Sequence, residues 1–180
     1  MRSLLLDLTR CYLEPHRTYH ALPHIADMLH RGRDLHLRDV QVAAIWFHDA
    51  IYDAKRNDNE ALSAAMAVER LTAAGWAEAD VQMVAQIVLD TTTHTPSAPE
   101  AEVVIDLDLA SLALPWEGFA ANTAAIRAEF GHVPEADFRA GRGAFFTRML
   151  ERKQLFWTPY GRALEATARA NLARAIRELG

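Results

Sequence analysis

The segment AAIWFHDAIYD, residues 43–53, decides how this chain is read. Apart from the closing Asp53, its residues are apolar or aromatic on both sides of one interruption, His48–Asp49. A helix this apolar is expected to be buried on most of its surface. A carboxylate taken out of water there is costly unless it is paired or bound to a cation. Adjacent helical residues point about 100° apart, so His48 and Asp49 can both flank one ion where helices cross. Asp53, four residues after Asp49, is placed to orient a ligand or a water. The competing reading is structural: Asp49 paired with an arginine, and His48 hydrogen-bonded to backbone.

Upstream, RTYHALPHIADMLH (residues 17–30) has the spacing of an amphipathic helix. Residues four apart are neighbours on a helix, so His20, His24 and Asp27 are expected on one face. Leu22, Ile25, Met28 and Leu29 form an apolar face beside it. A solvated histidine face is the competing reading. Downstream, VVIDLDLASLAL (residues 103–114) sets Asp106 and Asp108 in another apolar run. On a helix they point about 200° apart, so only one faces a given site. If Asp106 caps this helix through backbone N–H groups, Asp108 is left to reach inward.

The rest of the chain sets the frame. Ala- and Leu-rich stretches with helical periodicity, punctuated by seven prolines, predict helices near 2–13, 19–31, 38–53, 58–74, 77–91, 106–113, 117–130, 135–155 and 160–179. Pro23 is expected in the first turn of its helix, where a missing N–H matters little. Residues 92–104 read as the main loop, and Asp137 and Thr158 as helix starts. Leu164, Ala168, Leu172, Ile176 and Leu179 form the core stripe of the last helix. The expected fold class is all-α, a single-domain helical bundle over residues 1–180. At 180 residues, 51% of them apolar, the chain can bury a sizeable core.

A net charge of −5 argues against a nucleic-acid polymer or an anionic membrane as partner. No run is long and apolar enough to span a bilayer. The apolar start is interrupted by Asp7 and Arg10, unlike a signal peptide. The lone Cys11 excludes an internal disulfide and points to a reducing, cytoplasmic setting. His16, His30, His36 and His132 read as solvent-facing or structural, and Trp46, Trp116 and Trp157 as core.

A histidine, then His-Asp, then a distant aspartate, all on helices, resembles the HD-domain superfamily of metal-dependent phosphohydrolases. The chain is similar to a small bacterial branch of that superfamily through RTYHALPHI (17–25), FHDAIYD (47–53), NEALSA (59–64), TTTH (91–94), DLDLASLA (106–113) and ARANL (168–172). YHALPHIAD also resembles the YHxxxHxxD motif of cyclic-nucleotide phosphodiesterases, a related helical fold. Ala21 departs from both, where asparagine is usual. The resemblance implies a helical bundle of the HD-domain/phosphodiesterase-like type with His24, His48, Asp49 and Asp108 as metal ligands. His20 is then the proton donor, with a place among the metal ligands as its other reading, and Asp53, on its spacing from Asp49, is the second catalytic candidate. Two imidazoles and two carboxylates suit Mn, Fe, Co, Ni or Zn, with Mg a further candidate, better than Ca. Such a metal activates a water that attacks phosphorus. Arg17, Arg127 and Arg142 are the candidates for holding phosphate, Arg17 first for its nearness to His20. Asn59, Glu60, Ser63 and His94 are expected to line the substrate site, with helix initiation the other reading of Asn59 and Glu60. The implied function is hydrolysis of a small phosphorylated molecule, a nucleotide among the candidates. The alternatives are a di-iron oxygenase of the HD type and a non-catalytic nucleotide-binding module. Homo-oligomerisation is left open.

Overall fold

The computed structural model describes residues 2–179, and among these every regular element is helical. The elements are α1 (Arg2–Cys11), α2 (Leu22–Gly32), α3 (Asp39–Phe47), α4 (Asn59–Ala73), α5 (Glu78–Asp90), α6 (Pro99–Leu109), α7 (Trp116–Glu129), α8 (Glu135–Glu151), the short α9 (Pro159–Arg162) and α10 (Glu165–Leu179), with a 3₁₀ turn over Ala110–Ala113. The all-α expectation holds. Contacts divide the chain into two compact units, one ending at Ile105 and one beginning at Asp106, a boundary that falls within α6. Among the described residues no helix is long and apolar enough to cross a membrane.

In the first unit α3 packs against α5, α4 and α2, and α4 lies along α5. Ala64, Ala67 and Leu71 of α4 and Val81, Val84, Ala85 and Val88 of α5 are buried, each set at helical spacing. The small side chains on α4 allow its close approach to α5. Gly75 closes α4 at φ +80°, with its N–H donating to the Thr72 carbonyl and that of Trp76 to Leu71. This is a left-handed helix end that glycine adopts without steric cost.

Two expectations fail here for reasons that shape the site. α2 begins at Leu22, not near residue 19, so His20 lies in the bend before the helix. The Pro23 ring bars a further helical turn on its N-terminal side. α3 stops at Phe47, so His48 and Asp49 open a loop instead of sitting mid-helix. The stretch read as loop from 92 to 104 is also shorter, because Pro99 opens α6.

In the second unit α10 packs against α8 and the 3₁₀ turn, which also meets α7. Ala168, Asn171, Leu172 and Ala175 form the buried face of α10, while Ile176 and Leu179 are only partly covered. Asn171 Nδ2 donates to the carbonyls of Leu112 and Leu114, both at 2.8 Å, and fixes the 3₁₀ turn. Thr158 starts a helix as expected, its Oγ accepting from the Gly161 N–H at 3.2 Å. That helix is the single turn α9, and α10 begins separately at Glu165. α8 starts at Glu135, which leaves Asp137 in its first turn and not at its cap.

Candidate metal centre

Helix α3 ends where its own carbonyls need partners, and His48 supplies one. Continuation of the helix would bring the Asp49 N–H to the Ile45 carbonyl. Instead that oxygen is met by His48 Nδ1 at 2.9 Å. A carbonyl can only accept, so Nδ1 carries the hydrogen. In the neutral ring Nε2 is then the acceptor nitrogen. The side chain caps the helix with one nitrogen and offers the other as a ligand, as metal-bound histidines commonly do.

Two further polar atoms lie close to His48 Nε2. Asp49 Oδ2 lies 3.1 Å from His48 Nε2, and His24 Nε2 lies 3.3 Å from it. His24 and His48 are buried, and the Asp49 side chain is 13% exposed. One potential donor atom from each of the three lies within 4.8 Å of the others. A carboxylate and two imidazoles gathered this closely out of water are held together by shared hydrogens or by a cation among them. Ligands about 2.1 Å from an ion, at tetrahedral to octahedral angles, stand roughly 3.0–3.4 Å apart. The two measured separations fall in that range, so the donor set fits a transition-metal ion.

Arg17 braces this cluster from behind. Its side chain is fully buried. Nε donates to Glu14 Oε2 at 2.9 Å, Nη1 to the carbonyls of His20 (3.1 Å) and Asp49 (2.5 Å), and Nη2 to that of Ala50 (3.0 Å). The expectation that Arg17 binds phosphate is therefore corrected, because its three nitrogens are committed to the protein. The guanidinium also lies over the rings of Tyr12 and Tyr52. Tyr12 is buried and donates its hydroxyl to the Trp46 carbonyl at 3.0 Å. Burial, aided by the Asp49 carboxylate, holds that hydroxyl well above the ordinary tyrosine range, so it stays protonated.

The loop after Asp49 is held by residues expected to touch substrate. Ser63 Oγ accepts from the Ile51 N–H at 3.0 Å and donates to the Ile51 carbonyl at 3.3 Å. Asn59 pairs both ways with the Asp53 backbone, accepting at 3.1 Å and donating at 3.0 Å. Both residues are buried and act as loop anchors. The Asp53 carboxylate is exposed and accepts from the Lys55 N–H at 2.9 Å, a local turn. With α3 ended at Phe47, Asp53 no longer shares a helical face with Asp49, which removes the basis for a catalytic role. Glu60 is half-buried in the first turn of α4.

His20 is half-buried and stacked on Tyr52 with ring centroids 4.1 Å apart, while Tyr19 meets it edge-on at 4.8 Å and lies 5.3 Å from His24. His94 lies between α5 and α6, half-buried, with φ +50°. His16, His30, His36 and His132 are exposed, as expected.

In the second unit the structure separates the two acidic candidates. Asp106 lies in the body of α6, fully buried, and does not cap it. Oδ1 accepts from the Trp157 N–H at 2.8 Å, and Oδ2 from the N–H and hydroxyl of Thr158 at 2.7 and 2.6 Å. Asp108 is half-buried on the same helix. Arg127 is engaged by Glu135 and the carbonyls of Phe130 and Val133, which withdraws it from the phosphate-binding candidates. Arg142 lies against the rings of Phe145 and Phe146.

The residue that sequence reasoning misplaced most is Arg17, since nothing in the spacing reveals which backbone a long side chain will meet. Gly161 was missed altogether. A Cβ there would fall 2.3 Å from Asp106 Oδ2 and 2.7 Å from Phe156 Cβ. Set against known proteins, the chain matches no family model, and no curated protein or solved structure gives a significant match.

Proposed function

We propose that this chain is a metal-dependent phosphohydrolase acting on a small phosphorylated molecule. The observation that carries the reading is the His48 ring. Its Nδ1–H is spent on the Ile45 carbonyl, and its Nε2 lies at ligand-like separations from His24 Nε2 and Asp49 Oδ2. His24, His48 and Asp49 hold the ion. Two imidazoles with a carboxylate favour a divalent transition ion over calcium. Bound there, such an ion supplies Lewis-acid chemistry toward a phosphoryl group.

The chain's own residues supply the rest. The His48–Ile45 bond keeps the ligand nitrogen aimed into the cluster and fixes its tautomer. His20, restrained by Tyr19 and Tyr52, is the proton donor of the proposal. Ser63 and Asn59 keep the loop that follows Asp49 in one conformation. The buried position of the two histidines keeps bulk water from competing for their lone pairs.

The test is a panel of phosphomonoesters, phosphodiesters and nucleotides, each offered with Mn, Fe(II), Co, Ni or Zn. Metal-dependent phosphate or nucleoside release, abolished in His48→Gln, is the expected result. No turnover with any ion or ester would refute the assignment.

A further inference from the structure

Three arginines in this chain make the same clamp. Each sends Nε to a glutamate and its two terminal nitrogens to backbone carbonyls. Arg17 uses Glu14 and the carbonyls of His20, Asp49 and Ala50. Arg127 uses Glu135 and those of Phe130 and Val133. Arg169 uses Glu165 and those of Leu150 and Arg152. The last two fasten the ends of helices α7 and α8, and each side chain is 29% exposed. Arg17 differs in both respects: its side chain is 0% exposed, and its carbonyls belong to residues of the candidate site.

We propose that Arg17 is a positioning residue for the metal centre, an inference that rests on the metal reading above. It acts through two backbone segments at once. One arm holds the Asp49 carbonyl and its neighbour the Ala50 carbonyl, so the turn carrying the Asp49 carboxylate cannot rotate about its peptide planes. The same guanidinium holds the His20 carbonyl, four residues before His24. The segment leading to one ligand and the turn bearing the other are thereby fixed in mutual register by a single rigid fork. The planar fork explains the residue type. A lysine ammonium is a compact point charge that lacks this fixed geometry. Glu14, 45% exposed, neutralises the buried cation from the solvent side, so the clamp adds no net charge behind a dicationic site. Tyr12 and Tyr52 cover the guanidinium with their rings, which holds it in one orientation.

The test is Co(II) binding to the full chain by calorimetry and by the visible d–d spectrum, in wild type, Arg17→Met, Arg17→Lys and Arg127→Met, with thermal unfolding of each apo form. Outer-shell partners of metal ligands typically contribute tenfold to hundredfold in affinity. Arg17→Met is expected to weaken Co(II) binding by about that factor and to alter the spectrum, with Arg17→Lys in between. Arg127→Met, which loses an equivalent clamp elsewhere, is expected to lower the unfolding temperature while keeping wild-type affinity and spectrum. If Arg17→Met does not fold, Arg17→Lys carries the comparison, and wild-type affinity and spectrum in that variant would overturn the proposal. So would an unchanged isotherm in a folded Arg17→Met, or an equal loss in Arg127→Met. Wild type that binds no Co(II) would instead remove the metal reading, and this inference with it.

Discussion

Replacing Gly161 with alanine should damage the second unit far more than one methyl group suggests. The new Cβ would lie 2.3 Å from Asp106 Oδ2, 2.6 Å from Asp106 Cγ and 2.7 Å from Phe156 Cβ. Ordinary contact begins near 3.4 Å, so something must move by roughly 1 Å. Phe156 Cβ is tied directly to backbone. Asp106 is fully buried and bonded to Trp157 and Thr158 through three donors. Displacing its Oδ2 breaks two of those bonds, and hydrogen bonds to a buried charge contribute about 1.5–3 kcal/mol each. The expected loss is therefore about 3–6 kcal/mol, a large share of the roughly 5–15 kcal/mol by which folded domains are stable. At about 2–4 °C per kcal/mol for a chain of this size, the midpoint should fall by roughly 6–24 °C. Thermal unfolding followed by circular dichroism reads this directly. Gly141→Ala is the control, since a Cβ on that α8 residue meets nothing within 4 Å. It should be neutral or gain up to about 1 kcal/mol from better helix propensity. A Gly161→Ala midpoint within about 2 °C of wild type would refute the Asp106 anchor described above.

Other outcomes follow from the same structure. Ser63→Ala leaves the Ile51 N–H without its acceptor, so stability should fall by about 1–3 kcal/mol in denaturant titration; an unchanged midpoint would remove Ser63 as a loop anchor. His36 has φ +51°, a conformation that costs non-glycine residues roughly 1 kcal/mol. His36→Gly should be neutral to mildly stabilising by the same measurement, and a clear destabilisation would contradict the strain. Burial, with Glu14 nearby, pushes the Cys11 thiol above its usual value of 9.0. Alkylation by iodoacetamide should therefore be slow at pH 7.5 and accelerate only above about pH 9, because the thiolate is the reacting form; rapid labelling at neutral pH would contradict that placement.

What could be read from the sequence, and what could not, divides along physical lines. Helical periodicity, the apolar stripes and the Thr158 cap are local signals, and the helices they forecast are present. The pairing of His24 with His48–Asp49 was also legible, because three polar groups set among apolar neighbours must find one another or a cation. The end of α3 was not. Residues 43–53 are apolar enough to continue a helix, and what stops it is the His48 ring on the Ile45 carbonyl and Arg17 on those of Asp49 and Ala50. Those partners are chosen by tertiary geometry. The place of Asp106 is hidden in the sequence for the same reason. A carboxylate early in an apolar run looks like a cap, yet its donors come from residues 157 and 158, about fifty positions away. Arg17, Asn59 and Ser63 lie beside the motif and read as substrate contacts, whereas their polar atoms bond the backbone of residues 49–53.

The most direct test of the central claim is metal content. Wild type and His48→Gln would each be incubated with Mn, Fe(II), Co, Ni or Zn, desalted, and measured for ions per chain by elemental analysis, with circular dichroism confirming the fold. One transition ion per wild-type chain and none in a folded His48→Gln is the expected result. A folded wild type that retains no ion would contradict it, because the charge among His24, His48 and Asp49 would then be a proton on His48 and the cluster a buried ion pair.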